Sequence, residues 1–571
     1  MLPGFKRCGK IILQMKKTEV VPLIIFSALF ALSVVLSNHI VVGESYYALS
    51  TENYISPYGV ADVILFACLL VVVFLVAAFL YALWSKGKRR AESLDIQGLR
   101  IKPLALTAVV IAVLHLPYLL VYYPGFIFID SQNTIAQALG MIGYSNHHPV
   151  VYTLFVKLFI GLAHASGYST TAGCALYSLV QTVVMGFSYA TIIQWVTQRL
   201  SLGWVWRLFL VALFGVVPYI ATYSIAMWKD PLFSAALAVV SVLVADFILT
   251  NGKIARISKL WLPLFTACCF AVALLRSNGF LVDALLCIAL AVYAFAKSQV
   301  SRRLSVIVCL IPASAIVFNL LLVGPVYNAL GVTPNEKVEG LSIPLAQMSR
   351  VVAYNGNMSQ SDQDYMNELL PLEEYAQTYT PTLIDTVKWS PQFNSAPLED
   401  NFFGHWASMM VKNPGLYFEA WEMQTFGFWA VNHPAVIFHT QNISAGVPGT
   451  VSDPHGANSY GIYFSNYLGQ DAQSLLPYEN LTIPISWITW ALLFLCLIFL
   501  LSGNARWLVP LLPSVALVVS LLVASPIWYW ERYAAAIQFL IPFYIALLFV
   551  ARKAHSVEDL SQSCSGSKAN L

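Results

Sequence analysis

The chain of 571 residues is 58% hydrophobic and only 10% charged, with a mean hydropathy of +0.70 and a formal net charge of +3. An ordinary soluble domain carries about 25% charged residues, so this composition excludes a soluble globular protein. The near-neutral balance also gives no electrostatic footprint for nucleic acid. Apolar runs of about 18 residues or more recur along the chain, each reads as a membrane-spanning helix, and the fold class is an all-α polytopic membrane protein.

In chain order, Lys6, Arg7, Lys10, Lys16 and Lys17 precede an apolar run from Val20 to Ser37. The run is too long for the apolar stretch of a signal peptide and a second run follows soon after, so it is read as an uncleaved first helix. Spans are expected near 20–38, 61–84, 103–123, 171–197, 204–221, 231–249, 260–275, 279–296 and 303–323. Three more are expected near 484–502, 506–524 and 533–551. Between them lie the basic stretches "SKGKRRAESLDIQGLRIK" (85–102), "QRLSLGWVWR" (198–207), "NGKIARISK" (251–259) and "KSQVSRR" (297–303), with a tail from Arg552. Basic loops favour the cytoplasmic side. All of them, and both termini, face the cytoplasm if the apolar segment 149–165 does not cross.

The expectation is therefore about twelve spans plus one half-inserted helix on the outer face. Residues 1–99 would hold the N-terminus and two helices, 100–323 a transmembrane core with juxtamembrane helices at 131–165, and 324–483 an extracytoplasmic domain. Residues 484–551 would be the C-terminal spans and 552–571 a cytoplasmic tail. The nine cysteines are scattered, with no CxxC and no His/Cys spacing for zinc.

This topology gathers a set of polar residues on the outer face. Asp130 stands in "FIFIDSQNTIAQALGMIGYSNHHPVVYT" (126–153), where Ile135, Ala138, Leu139 and Ile142 recur at helical spacing along a short amphipathic helix. Asp130 is either the N-cap of that helix or a free carboxylate at membrane depth, where ionisable groups are functional candidates. His147 and His148, ahead of Pro149, form either a polar turn or a phosphate or metal contact. In "MWKDPLF" (227–233), Lys229 and Asp230 precede Pro231, with Asp230 as a cap or as a second acid beside Asp130. Arg276 in "ALLRSNGF" and Arg532 in "SPIWYWERYAAAI" place guanidinium groups, suited to phosphate, on the same side. Pairing with an acid is the structural alternative for each.

Taken in order, "PGFIFIDSQNTIAQ", "NHHPVVYT", "WKDPLF", "LRSNGF", "SIPLAQMSRVVA" (342–353) and "ERYAAAI" resemble the GT-C superfamily of polyprenyl-phosphate-sugar-dependent glycosyltransferases. More closely, the chain resembles an uncharacterised family of large polytopic proteins, common in Gram-positive bacteria and assigned to that superfamily. The resemblance implies transfer of a sugar, with inversion, from a polyprenyl-phosphate donor to a cell-envelope glycan, lipid or protein acceptor. It gives Asp130 the role of base and Asp230 that of a second catalytic acid. Arg276, with Arg532, Lys229, His148 and His147, would hold the donor phosphate. Many members follow the first acid with another, whereas Ser131 follows Asp130 here, which puts a divalent metal ion in doubt; Asp230 would be its second ligand. The domain 324–483 would cap the cavity, with "TFGFW" (425–429) offering stacking surfaces or ordinary core packing.

Two other functions fit a chain of this kind. An envelope polysaccharide polymerase or ligase would concentrate its essential residues within 324–483. A lipid-linked-sugar flippase or transporter would show internal repeats and ionisable groups midway along its spans. No repeat is visible, and Asp62, Asp246 and Asp283 lie near span ends.

Overall fold

The computed structural model describes residues 15–43, 52–86, 94–296, 300–433, 483–525, 527 and 531–568. The first half carries α1 (Lys17–His39), α2 (Val60–Lys86), α3 (Ile101–Val121), α4 (Ile129–Ala138), α5 (Val150–Ala165) and α6 (Thr170–Arg199). Next come α7 (Trp204–Val216), α8 (Pro218–Ser224), α9 (Lys229–Leu249), α10 (Trp261–Leu275), α11 (Gly279–Ala296) and α12 (Arg302–Leu321). Then follow α13 (Ser342–Ala353), α14 (Gln360–Leu369), α15 (Phe402–Lys412), α16 (Pro414–Thr425), α17 (Ile485–Leu501), α18 (Leu512–Ala524) and α19 (Ile541–Lys568). Among the described residues the only ladder is a two-stranded pair, β1 (Ile40–Val41) with β2 (Tyr54–Ile55).

Seven helices among the described residues are long and apolar enough to cross a membrane, as the all-α polytopic expectation requires, or up to eight if the bent pair α7–α8 is one span. That pair occupies the expected span 204–221 but breaks at Val217–Pro218 with a bend of 60°. Proline has no N–H to continue a helix and suits the first position of a new one. The expected spans 260–275, 279–296 and 484–502 form shorter apolar helices. At 15 residues α10 is about 22 Å long, against a hydrocarbon core of about 30 Å. The span expected at 533–551 is divided at Leu540, between Ala535–Phe539 and α19. The segment expected not to cross is α5, whose 16 residues reach about 24 Å. It lies tightly on α6: a Cβ on Gly173 would stand 2.6 Å from the Ile160 Cα.

The helices differ sharply in what surrounds them. The apolar window of α9 is 94% buried, whereas that of α2 is 11% buried with Val60, Val63, Ile64 and Val71 exposed. Both are apolar all round, which suits a central helix in the first case and a lipid-facing one in the second. A separate core of Leu345, Met348, Val351, Met366, Leu369, Met409 and Tyr417 holds α13–α16 together as a second unit. Trp421 ties this unit to α18 by donating its Nε1–H to the Leu522 carbonyl at 2.9 Å. Further docking points are the Ser145–Thr333 and Leu383–Ile527 backbone bridges. Residues 434–482, the remainder of the expected extracytoplasmic domain, lie outside the described residues, as do Trp528, Tyr529 and Trp530.

Two chain segments meet beneath the polar set. Phe126 forms a parallel bridge with Ala226, its N–H donating to the Ile225 carbonyl at 3.2 Å and its carbonyl accepting from Met227 N–H at 2.9 Å. Gln181 on α6 secures the second segment, donating to the Ser224 and Ala226 carbonyls at 2.9 and 2.7 Å. Gly125 makes this approach feasible, since its φ is +119° and a Cβ there would stand 2.6 Å from the Ile225 carbonyl oxygen. Substitution Gly125→Ala should destabilise the protein by about 2 kcal/mol or more, through left-handed strain and overlap together. Gly140→Ala, at φ +73° with nothing within 4 Å of its Cβ position, should show only the strain. Thermal unfolding of both variants in detergent would separate the two, and equal losses would contradict the close approach.

Candidate functional site

The bridge makes Asp130 and Asp230 counterparts. Each lies four residues beyond its bridged residue, and each is the second residue of a helix, α4 or α9, whose N-cap is an aromatic, Phe128 or Trp228. Neither acid therefore caps its helix, as either could have done by sequence alone. The two aromatics stack at 3.8 Å between ring centroids, so the two helix starts are held side by side. Both carboxylates gain from the positive ends of their helices. Ser131, where a second acid was a family expectation, is structural: its hydroxyl donates to the Met227 carbonyl at 2.6 Å and accepts from Phe128 N–H at 3.1 Å.

Around the acids runs a ladder of alternating charge. Lys229 Nζ donates to His148 Nδ1 at 2.6 Å, and His148 Nε2 stands 3.8 Å from Asp130 Oδ1. Arg532 donates from Nη1 to Asp130 Oδ2 at 2.7 Å and lies 4.0 Å from Asp230 Oδ2. Arg276 donates from Nη1 to Asp230 Oδ1 at 2.6 Å. Rings support both guanidinium groups: Trp228 lies 4.5 Å from Arg532 and Tyr533 lies 4.8 Å from Arg276. Such cation–π contacts strengthen when desolvated. The partner of Asp130 is thus Arg532, and Arg276 is engaged with Asp230; the two arginines meet only through the second acid.

Protonation states follow from these contacts. Burial alone would raise the Asp130 carboxyl, but Arg532, with Lys229, outweighs it and holds the group well below the usual carboxylate range. Burial also opposes the charge on Arg532, and Asp130 more than restores it. His148 is pushed well below its ordinary value by burial first and by Lys229 next. An ammonium cannot accept a hydrogen bond, so His148 Nδ1 is the acceptor from Lys229 and its proton sits on Nε2.

Beside the ladder is an open recess of about 180 Å³ whose lining includes Asp130, Thr134, His148, Tyr152, Trp228, Lys229 and Asp230. Much of that space is open to solvent and its enclosed part has room for about one water molecule, so a larger group would rest at its mouth. His148 Nε2 is buried there with no hydrogen bond, 3.8 Å from Asp130 Oδ1, and the Tyr152 hydroxyl faces Tyr177. Three cations, Lys229, Arg276 and Arg532, stand against two carboxylates, Asp130 and Asp230, an excess of one positive charge with His148 neutral. The residues do not fit a divalent metal: each acid already faces a guanidinium, and no group of three metal-ligating side chains occurs among the described residues.

Of the residues singled out by sequence, Asp130, Asp230, Lys229, His148, Arg276 and Arg532 converge on this centre. His147 stays outside the recess: it is exposed, with its ring 4.7 Å from that of His148 and 6.2 Å from that of Trp389 in the second unit. The aromatics of 425–429 offer no sugar platform, because Phe426, Phe428 and Trp429 are buried and Trp429 stacks on Trp421 at 5.6 Å. Sequence reading passed over Tyr152 and Thr134. Their one signal is spacing, since each follows a selected residue, His148 or Asp130, by about one helical turn.

A family model described as a family of unknown function, DUF6020, matches residues 142–562. The chain belongs to this family. The matched stretch holds every member of the ladder except Asp130, which lies just ahead of it together with α1–α3. No curated protein and no solved structure matches the chain.

The depressed basicity of His148 has a measurable sign. Unfolded histidine takes up a proton near pH 6.5, whereas His148 in the fold resists it, so stability should fall as pH drops below about 6.5. The slope is at most about 1.4 kcal/mol per pH unit. His148→Asn should flatten the decline in thermal stability between about pH 7.5 and 5.5. Identical slopes in the two proteins would show that His148 is not buried neutral.

Proposed function

We propose that this protein is a membrane glycosyltransferase of GT-C type, moving a sugar from a polyprenyl-phosphate donor to a cell-envelope acceptor. The observation that carries the reading is the excess of buried positive charge at the Asp130 centre, beside an open recess. Buried charge is costly unless compensated, and an anionic oxygen cluster such as phosphate would balance it. Lys229 and the His148 Nε2–H are the donors lining that recess, with Arg532 behind Asp130.

In this reading the acceptor hydroxyl oxygen forms a bond to the anomeric carbon on the face opposite the phosphate. The bond from that carbon to the phosphate oxygen breaks, and polyprenyl phosphate leaves with the electron pair. The hydroxyl proton passes to Asp130. Because Arg532 keeps Asp130 ionised and weakly basic, the carboxylate first orients the hydroxyl and takes the proton late, once the sugar carbon has become strongly electrophilic. Donors preset around the phosphate stabilise the leaving charge. Asp230 is a positioning residue that separates Arg276 from Arg532.

The reading also places the centre on the outer face. Asp230 opens α9 and Asp246 lies 16 residues further on, about 24 Å along the helix axis. There Asp246 binds Arg199, within the basic stretch 198–207, at 2.8 Å. The polar centre and the basic loops thus occupy opposite ends of the same helix, which supports an extracytoplasmic site with cytoplasmic basic loops.

At matched expression, Asp130→Asn should lower envelope glycan transfer by about 100-fold or more, the usual contribution of a positioned base. Compositional analysis of envelope glycans from cells carrying either protein would measure it. Unchanged glycans would reject the assignment.

A further inference from the structure

One member of the charge ladder can both take up and give away a proton. The guanidinium groups of Arg276 and Arg532 carry no acceptor, and the Lys229 ammonium carries none either. His148 has two ring nitrogens, and they serve opposite directions along the ladder. Its Nδ1 accepts from Lys229 Nζ at 2.6 Å, and its Nε2 stands 3.8 Å from Asp130 Oδ1. The other oxygen of Asp130, Oδ2, accepts from Arg532 Nη1 at 2.7 Å. Oδ1 is therefore the oxygen left for a proton, and it is the one nearest the imidazole.

A proton placed on Asp130 needs an outlet. Arg532 holds this carboxyl well below its usual range, so a proton taken from an acceptor hydroxyl is kept poorly and must be passed on before the next turnover. Of the groups that act on Asp130, only the imidazole of His148 has an acceptor nitrogen in either tautomer. The charged and titratable groups around His148 are Lys229, Asp130, His147 and Arg532, and His147 among them is exposed. Burial and the Lys229 charge oppose an imidazolium at this position. A neutral ring can still move a proton. It takes one at Nδ1 while losing one at Nε2, and so exchanges one neutral tautomer for the other.

We propose that His148 is a proton shuttle linking Lys229, Asp130 and the leaving phosphate, and that it works by exchange of its two neutral tautomers. The proposal rests on the transferase reading and adds to it the fate of the proton. As the acceptor oxygen bonds to the anomeric carbon, its proton goes to Asp130 Oδ1. The electron pair of the broken carbon–oxygen bond goes to the phosphate oxygen. That phosphate takes the proton from His148 Nε2, while Nδ1 takes one from the Lys229 ammonium. Once the products have parted, the Asp130 proton passes to Nε2 and the Nδ1 proton returns to the Lys229 amine. One proton has then moved from the acceptor hydroxyl to polyprenyl phosphate, and all three side chains end as they began. The 3.8 Å gap between Nε2 and Oδ1 closes to hydrogen-bonding distance with a shift of about 1 Å.

The test is chemical rescue in cells carrying the full chain as His148→Gly, read by compositional analysis of envelope glycans. Transfer should fall by about 100-fold, the usual scale for a positioned proton carrier. Imidazole in the medium should raise it again by about tenfold. The compound 1-methylimidazole, in which one ring nitrogen is blocked, should restore nothing. Rescue should also disappear in His148→Gly with Lys229→Arg, which keeps the positive charge but holds its protons. Equal rescue by both compounds, rescue that survives Lys229→Arg, or rescue by neither in a folded variant would overturn the shuttle. A second variant, His148→Gln, can donate to phosphate but has no tautomer to exchange, so it should transfer no faster than His148→Gly. Normal transfer by His148→Gln would mean that Asp130 discharges to solvent, overturning the shuttle and sparing the transferase. Size exclusion in detergent checks folding, and a misfolded His148→Gly leaves His148→Gln to decide. Normal glycans in Asp130→Asn would remove the transferase and the shuttle together, an outcome distinct from all of these.

Discussion

Everything at the candidate centre depends on the short parallel contact between Phe126 and Ala226. Two extended segments pair for a single bridge, and each then turns directly into a helix. The acids Asp130 and Asp230 arrive together because both are the second residues of those helices. The bridge survives in an apolar interior because its polar backbone is paid for locally by Gln181, Ser131 and the cross-strand amides. Backbone groups buried away from water need such partners. Gly125 permits the approach, and the stacked Phe128 and Trp228 keep the helix starts from sliding.

Charge balance then sets what the centre can attract. Cations outnumber acids there and the acids already face guanidinium groups, so the remaining attraction is for an anion. A buried ion pair is weak evidence of stability on its own account. The α13–α16 unit and the stretch leading to Arg532 are joined nearby at Leu383 and Ile527.

Much of this was legible beforehand. Apolar runs and basic loops mark nearly every helix, because in a bilayer the backbone must satisfy itself within the helix and hydropathy alone announces where it does so. The polar set was legible for a related reason: ionisable residues are costly beside apolar runs, so Asp130, Lys229, Asp230, Arg276 and Arg532 stand out. His148 and His147 could not be told apart by composition. Only packing shows that His148 is buried in the recess lining while His147, beside it, is exposed. The bend at Pro218 was marked by its proline, yet its angle depends on what α7 and α8 rest against.

The sequence by itself thus determined the class of the molecule, the approximate positions of its helices and the identity of its exceptional charges, since each is a local consequence of side-chain chemistry in an apolar solvent. Tertiary structure alone decided who pairs with whom. Asp130 meets Arg532 from the far end of the chain rather than Arg276, Tyr152 and Thr134 join the recess, and Tyr58 reaches Glu422 across hundreds of residues. Those pairings depend on distances of a few ångströms between segments remote in the chain, and no periodicity or composition encodes a separation of that kind.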